Sequence, residues 1–459
     1  MPTIVEQLSS YAAALRYEDL PSEVVRQAKL LITDTIGCAL GGAPSEPARI
    51  ARDIAAGVTC EQPATIMVSG ERTSPDLAAF ANGVMIRFLD FNDGYTSTGE
   101  SGHPSDSIAA VLSAAEIMNR SGRDVIMATV LAYEVFCRIC DEADLKPLGF
   151  DHVTVGVMAS AAAAAKLMGL PERGIAQALN LAIAPNIALY QTRIGHVSMW
   201  KGCAYANASR NAMFAAMLAA RGMTGPEPVF EGVGGYFKAV THEPFKLARL
   251  GGREHPYKIL ECSIKRFPLG QYSQTVVEAA LEARRQLRKV DDIAEVQIET
   301  GTTAVRLMAG DAEKWRPETR ETADHSMPYT VAVALMHGTV EERHFDDACR
   351  RDEGILALTQ RIKVKATDEA DRRMPEAMLC RLKIITSSGQ TCECAVEYHK
   401  GHWRNPMSDS EVEAKFRPLA AKALDAGKTD RLVGALRDLE RLSAASDIVR
   451  LTMATAGPR

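Results

Sequence analysis

Apolar residues recur at helical spacing through the first half of the chain. After Pro21, apolar positions follow one another every three or four residues until Gly41, which predicts a helix near residues 22–40. Ala64–Met67 is short and bounded by polar residues, so it is interpreted as a strand in a small hairpin. The same helical spacing predicts further helices near residues 45–56, 75–89, 104–120, 123–141, 156–169, 172–184 and 204–222.

The pattern changes to alternation between residues 290 and 400. Apolar Ala294, Val296 and Ile298 alternate with polar neighbours, which is typical of a half-buried strand. Residues 362–366 and 392–398 alternate in the same way, and Ser387–Gln390 predicts a hairpin turn between strands. A strand region therefore interrupts a helical sequence.

Helical spacing returns after Trp403, which sets the expected domain organisation. We expect a mainly α protein with a smaller α+β domain, in which the large domain is all-helical and the inserted domain contains an antiparallel sheet. The predicted domains are residues 1–267 and 403–459 for the helical domain, and residues 268–402 for the α+β domain.

Composition excludes several classes of function. The chain has 459 residues, of which 46% are hydrophobic and 24% charged, and its net charge of −5 argues against a nucleic-acid partner. No stretch of about 18 apolar residues predicts a membrane span, and the start of the chain does not resemble a signal peptide, so a cytoplasmic protein is expected. The ten cysteines are scattered without zinc-ligand spacing, which predicts core thiols.

A polar loop within residues 80–106 is the first candidate for chemistry. The segment reads FANGVMIRFLDFNDGYTSTGESGHPSD, and it holds Asp90, Asp93 and His103 between the end of one helix and the start of the next. Carboxylates and an imidazole brought together in this way suit proton transfer. They could equally be helix-capping groups and a histidine whose hydrogen bonds are satisfied locally.

Four cations in two other segments are candidates for binding an anion. SMWKGCAYANASRN contains Lys201 and Arg210, and IKRFP contains Lys265 and Arg266 at the predicted domain boundary. Lysines and arginines are usually solvated. Together with an imidazole and carboxylates, these cations suit a pocket that binds a polycarboxylate and moves a proton next to one of its carboxylates.

Two further histidines and a tyrosine complete the candidate set. His325 follows Asp324 and precedes Tyr329 in RETADHSMPY, and His152 follows a loop in GFDHVTVG. Either histidine could be a buried residue with no role in binding. None of these groups has convincing metal-ligand spacing, so a metal-free mechanism is favoured.

Five segments taken together resemble the MmgE/PrpD family. They are AFANGVMIRFLDFNDGY, GHPSD, SMWKGCAYANASRN, IKRFP and RETADHSMPY, and the resemblance extends from about Val5 to Leu442. The family includes enzymes that dehydrate 2-methylcitrate, decarboxylate cis-aconitate or epimerise iminodisuccinate. The resemblance implies a large helical domain, a smaller α+β lid domain and a homodimer without cofactor.

The resemblance also implies roles for individual residues. Active-site positions of the family's decarboxylases correspond to Asp90, His103, Arg210, Lys265 and Tyr329 in this sequence. Gly94 stands where the decarboxylases and many dehydratases have threonine, and Arg210 stands where the decarboxylases have lysine. These departures argue against the decarboxylase substrate, because arginine and lysine are not equivalent at a carboxylate-binding site. The form of GHPSD after FND resembles the dehydratases.

The function expected from the sequence is a lyase that removes water from a 2-methylcitrate-like hydroxy-tricarboxylate. In this prediction His103 transfers the proton and is oriented by Asp90, while Tyr329 acts as a hydrogen-bond donor. Residues predicted to bind the substrate and stabilise its developing charge are Lys265, Arg210, Lys201, Arg266, His152, Asp93 and His325. The alternatives are a cis-aconitate-type decarboxylase, an epimerase of a related dicarboxylate, and a helical oligomer that binds an anion without turnover.

Overall fold

The structure is a computed structural model that describes residues 2–454, and it contains two compact units. The helical unit takes the chain up to Tyr190, Gly202–Ile264 and the chain from Met407 onward. The α+β unit takes Gln191–Lys201 and Lys265–Pro406. Both boundaries lie a few residues from the predicted ones. Gln191–Lys201, which the prediction placed in the helical domain, belongs to the α+β unit.

Hydrogen bonds explain why this short segment belongs to the α+β unit. The backbone nitrogen of Val197 lies 3.3 Å from the hydroxyl oxygen of Thr322, and the hydroxyl group of Thr319 donates to the Val197 carbonyl at 3.0 Å. The periodicity of residues 191–201 carries no sign of this long-range pairing.

The first part of the chain is almost entirely helical, as predicted. One two-stranded antiparallel hairpin is formed by β1 (Ala64–Thr65) and β2 (Arg72–Thr73). The helices are α1 (Ile4–Ala14), α2 (Ser22–Gly42), α3 (Glu46–Ala56), α4 (Pro75–Arg87), α5 (Ile108–Ile117), α6 (Gly122–Glu142), α7 (Val153–Leu167), α8 (Glu172–Ile183) and α9 (Trp200–Ala220).

Small residues allow these helices to approach closely. A Cβ atom on Gly156 of α7 would lie 2.4 Å from the ring of Tyr205 in α9. A Cβ atom on Gly83 of α4 would lie 2.9 Å from the Cα atom of Ala206. The alanine-rich sequences of α7 and α9 therefore serve tight packing of the helical core.

The α+β unit contains a four-stranded sheet with the strand order β4-β3-β5-β6. Its strands are β3 (Ile293–Thr300), β4 (Ile362–Ala366), β5 (Cys380–Thr386) and β6 (Thr391–Val396). Its helices are α10 (Gln274–Arg284), α11 (Thr302–Ala309), α12 (Arg320–Ala323), α13 (Met327–His337), α14 (Asp347–Arg350), α15 (Glu353–Thr359) and α16 (Asp368–Arg373).

The predicted fold class is confirmed, with one difference in the sheet. β5 and β6 form the predicted antiparallel hairpin, but β3 and β4 run parallel, so the sheet is mixed. The connection between β3 and β4 contains helices α11 to α15, and a crossover of this length allows the second strand to run parallel to the first.

The C-terminal helices complete the core of the helical unit. They are α17 (Asp409–Ala420), α18 (Ala426–Arg437) and α19 (Ser446–Leu451). α17 packs on α2, where a Cβ atom on Gly37 would lie 2.8 Å from the Phe416 ring. Within residues 2–454, no helix is long and apolar enough to span a membrane.

Candidate active site

The loop after α4 in the helical unit is held by buried polar contacts. Asp90 has a left-handed backbone with φ +50°, a conformation that aspartate tolerates better than most residues. Its carboxylate is paired with Arg87 in the last turn of α4, and Arg87 Nε also lies 3.4 Å from Asp106 Oδ2. Asn92 Nδ2 donates to Asp106 Oδ1 at 2.7 Å and to Ser105 Oγ at 2.8 Å. These contacts fix both ends of the loop.

A second contact to this loop comes from the C-terminal helix α17. The Lys415 ammonium donates to the carbonyl oxygen of Phe91 at 2.7 Å and lies 2.6 Å from Asp34 Oδ1. Both charged side chains are buried, so the pair is shielded from solvent and salt. The last part of the chain therefore helps to position the loop that carries Asp90.

The backbone carbonyl of Asp93 orients His103. His103 is buried, and its Nδ1 atom lies 2.6 Å from this carbonyl oxygen. A carbonyl oxygen can only accept, so Nδ1 carries the hydrogen, and in the neutral imidazole Nε2 has the lone pair that can take up a proton. The Asp90 carboxylate, the predicted orienting group, pairs with Arg87 of α4, and its role towards His103 stays a prediction.

The Asp93 side chain is fully buried and hydrogen-bonded. Its Oδ1 atom accepts from the Ser105 hydroxyl group at 2.6 Å and lies 3.3 Å from the Ser105 backbone nitrogen. Burial raises the pKa of Asp93 to about 6, while hydrogen bonds from Ser105 and Tyr133 oppose this rise. The structure thus shows Asp93 supporting the His103–Ser105 segment, and its substrate-binding role stays a prediction.

The raised pKa of Asp93 predicts a pH dependence of stability. The folded state holds this proton more tightly than the unfolded state, so the stabilisation is complete below about pH 4 and is lost as pH rises through 6. A shift of about two units corresponds to about 2–3 kcal/mol in the free energy of unfolding. The free energy of unfolding of wild type and of Asp93→Asn can be measured in urea by circular dichroism. Between pH 4 and pH 7, the value for wild type should fall by this amount relative to that of Asp93→Asn. An equal pH dependence in the two proteins would contradict the assignment.

His152, at the start of α7, lies beside His103. The centroids of the two rings are 5.5 Å apart, and the rings are nearly perpendicular. His152 Nδ1 lies 3.0 Å from Asp151 Oδ1, which orients the ring. A Cβ atom on Gly102 would lie 2.5 Å from His152 Cδ2 and 2.8 Å from the ring of Phe136. Only glycine at position 102 allows the two histidines to approach in this way.

Replacing Gly102 with alanine tests whether this close approach matters. We expect Gly102→Ala to lower kcat at least tenfold, because the added methyl group displaces the backbone next to His103. The overpacking should also cost about 1–3 kcal/mol of stability. Gly434→Ala in α18 is the control, since a Cβ atom there meets no atom within 4 Å. Full activity of Gly102→Ala would show that the geometry of this loop is not critical.

Arg210, a predicted substrate-binding residue, lies on a partly exposed face of α9. Its side chain is 45% exposed, and its Nε atom lies 3.5 Å from Asp76 Oδ2 at the start of α4. The neighbouring Ser209 is fully buried and donates to the Asp106 carbonyl at 3.1 Å. Successive residues of a helix point about 100° apart, so Ser209 is the residue of α9 that contacts the His103–Asp106 segment.

In the α+β unit, Asp324 brings Lys201 and His325 together. The Lys201 ammonium is paired with Asp324 Oδ1, and His325 Nδ1 lies 2.7 Å from the same oxygen. Arg320 Nη1 lies 3.3 Å from Asp324 Oδ2. Lys201 is only 3% exposed, so this predicted residue is a buried cation with a structural counter-ion rather than a solvated lysine.

The adjacent cations Lys265 and Arg266 have different environments. Lys265 is buried, whereas Arg266 is 44% exposed and its Nη1 atom lies 3.6 Å from Glu278 Oε1. His399 is also buried. Burial lowers the pKa of His399 to about 4, and the positive charge of Lys265 contributes to this lowering. The hydrogen bond to the Lys400 carbonyl opposes it. Lys265 is therefore the cation that lies beside a neutral imidazole.

Tyr329 is fully buried near the start of α13. Its hydroxyl group donates to the carbonyl oxygen of His344 at 2.5 Å, and its ring packs against Phe345. Burial raises the pKa of Tyr329. In this arrangement the hydroxyl hydrogen is bonded to the backbone, and the role of Tyr329 as a donor to substrate stays a prediction.

The sequence interpretation missed several buried polar residues around these groups. They are Arg87, Asn92, Ser105, Lys314 and His399. Arg87 interrupts the apolar sequence GVMIRFLDF, and a charge within an apolar helix is a usable signal of a buried ion pair. The others lie in polar segments, where no pattern separates a buried side chain from a solvated one.

Comparisons with known proteins match both parts of the chain. The model of the MmgE/PrpD N-terminal domain matches residues 6–248, and the model of the MmgE/PrpD C-terminal domain matches residues 267–441. Human cis-aconitate decarboxylase is 26% identical over 484 residues, covering 100% of this chain and 96% of the relative. The 2-methylcitrate dehydratase of Cupriavidus necator is 28% identical, covering 94% of this chain and 92% of the relative. The corresponding Escherichia coli K12 enzyme is also 28% identical, covering 93% and 92%.

Proposed function

Because the chain belongs to the MmgE/PrpD family, we propose that it is a cofactor-independent lyase that removes water from a 2-methylcitrate-like hydroxy-tricarboxylate. The observation that carries the proposal is the buried His103, whose Nδ1–H is bonded to the Asp93 carbonyl. A fixed tautomer with Nε2 as acceptor is what a general base requires. Similarity to 2-methylcitrate dehydratases over most of their length supports the substrate class.

In the proposed reaction, His103 Nε2 removes a proton from the carbon next to a substrate carboxylate. The electron pair moves towards that carboxylate, and a positive charge beside it stabilises the resulting enediolate. The electrons then form the double bond as the hydroxyl group leaves from the neighbouring carbon. The imidazolium form of His103 holds the abstracted proton and returns it to the departing oxygen, which leaves as water.

This assignment of the proton donor follows from the state of Tyr329. Its hydroxyl hydrogen is bonded to the His344 carbonyl, so protonation of the leaving group is assigned to His103 alone. Within the α+β unit, Lys265 and Lys201 are proposed to bind carboxylates, and the pairing of Lys201 with Asp324 keeps Lys201 in place.

A decarboxylase is the second candidate, because human cis-aconitate decarboxylase is similar over the whole chain at nearly the same identity. Decarboxylation and epimerisation would both pass through a similar carbanion. The test is therefore a panel of citrate, 2-methylcitrate, cis-aconitate and iminodisuccinate, with unsaturated product and released CO₂ measured together.

We expect 2-methylcitrate to give an unsaturated product without CO₂, and this activity to persist after treatment with a chelator. CO₂ release from cis-aconitate would establish the decarboxylase instead. If no acid is converted, the proposal of an enzyme in this substrate class fails and an anion-binding protein becomes the better interpretation.

A further inference from the structure

A lysine in the α+β unit that neither the motifs nor the proposed mechanism uses is completely buried. Lys314 has no exposed surface, and among the residues that the structure describes its Nζ atom has no hydrogen-bond partner. The backbone around it is fixed, because its amide donates to the Asp311 carbonyl at 3.1 Å and its carbonyl accepts from the Ser326 hydroxyl group. A rigid turn therefore holds a primary amine inside the protein.

The electrostatic surroundings of this amine are dominated by burial and by another ammonium group. Burial lowers the pKa of Lys314, and the charge of Lys201 lowers it further. The carboxylates of Asp311, Asp324 and Glu313 oppose this effect. Asp324 already pairs with Lys201, so two amines share the influence of one buried carboxylate.

Exposed lysines of the same unit show a different arrangement. Lys363 and Lys365 on β4 are 71% and 74% exposed, and they face Glu295 and Glu299 on β3. Their charges are hydrated and have nearby counter-ions. Burying an amine without a partner is unfavourable, and such an arrangement is typical of a site whose partner is a ligand.

We propose that Lys314 is a substrate-binding residue whose amine binds one carboxylate of a di- or tricarboxylic acid. The chemical class follows from the neighbouring Lys201, since two amines on one rigid framework match two anionic oxygens or two carboxylates of one ligand. This inference rests on the proposed function for the identity of the ligand, but it can be tested without turnover.

The proposal has two consequences that a purely structural lysine would not show. A carboxylate next to Lys314 favours the ammonium form, so ligand binding should be accompanied by uptake of a proton. Replacing the amine with an apolar side chain of similar length should leave the ligand-free protein at least as stable, because the unpartnered polar group is removed. Replacing the Lys314 amine should therefore weaken ligand binding without lowering the stability of the ligand-free protein.

The experiment uses tricarballylate, a tricarboxylate without a hydroxyl group that could be eliminated. Its dissociation constant is measured by calorimetry for wild type, Lys314→Met, Lys314→Arg and the control Lys365→Met. We expect Lys314→Met to weaken binding at least tenfold and Lys365→Met to bind like wild type. Urea unfolding should show that Lys314→Met is no less stable than wild type.

Proton uptake gives a second readout for the case that Lys314→Met does not fold. Binding enthalpies measured in two buffers of different ionisation enthalpy between pH 6 and pH 10 should show uptake by wild type. In Lys314→Arg, residue 314 should take up no proton on ligand binding, because arginine is always charged.

Unchanged binding by a folded Lys314→Met would overturn the proposal. Absence of proton uptake by wild type across this pH range, or of any tricarballylate binding, would do the same. If wild type binds tricarballylate through Lys314 but converts no acid of the panel, the proposed reaction fails and the carboxylate site remains.

Discussion

His103→Ala is expected to lower kcat for the converted acid by about 10²–10⁴-fold, the usual contribution of a positioned acid–base group. The structure explains why the loss should be this large. The Asp93 carbonyl fixes the hydrogen on Nδ1, so Nε2 is held ready to take up a proton, and alanine offers no substitute. In the proposed reaction the same imidazole also returns the proton, so both steps are affected.

The stability of this variant should change little compared with its activity. The hydrogen bond from His103 Nδ1 to the Asp93 carbonyl contributes about 1 kcal/mol, as such bonds usually do. The matched control is His255→Ala, since His255 lies on an exposed loop beside Arg249. Activity of His103→Ala within about threefold of the His255→Ala control would rule out His103 as the proton-transfer group.

Asp324→Asn is expected to destabilise the α+β unit by about 3–5 kcal/mol. The fully buried Asp324 carboxylate accepts from Lys201, Arg320 and His325, and the neutral amide would leave buried cations without their counter-charge. The amide nitrogen would also present hydrogens towards groups that are themselves donors. Breaking one partner of a buried pair costs far more than breaking a surface pair.

The tryptophans of this chain make the effect on one unit measurable. All three, Trp200, Trp315 and Trp403, belong to the α+β unit, so fluorescence in urea reports the unfolding of that unit. The control is Glu369→Gln, whose partner Arg381 is half exposed, so the unfolding midpoint should change little. Equal unfolding midpoints for Asp324→Asn and Glu369→Gln would show that the buried cluster is not an important source of stability.

Local signals in the sequence predicted most of the fold. α2 follows Pro21 as predicted, and Ser408 and Glu411 form a capping box at the start of α17. The alternation of residues 362–366 correctly predicted β4, but alternation depends only on which face is buried and carries no information about strand direction. The parallel pairing of β4 with β3 is a property of the long crossover and could not be predicted from the strand itself.

The candidate site was predicted less completely, because contacts between distant residues decide it. The motif drew attention to the loop of Asp93 and His103, but only the structure shows that a backbone carbonyl orients the imidazole. A sequence cannot distinguish this carbonyl from the carboxylate of Asp90. Similarly, Tyr329 has the right chemistry for a donor, and the backbone of His344 that engages it lies 15 residues further along the chain.

The central claim is that His103 transfers a proton at a carbon next to a carboxylate during reversible loss of water. The most direct test is to incubate the unsaturated tricarboxylate formed by removing water from 2-methylcitrate with the wild-type protein in D₂O, and to analyse the product by NMR. The account predicts the hydrated tricarboxylate with one deuterium on the carbon that gives up the proton, and no such product with His103→Ala. Deuterium incorporation by His103→Ala at the wild-type rate, or a wild-type product that has lost CO₂, would contradict it.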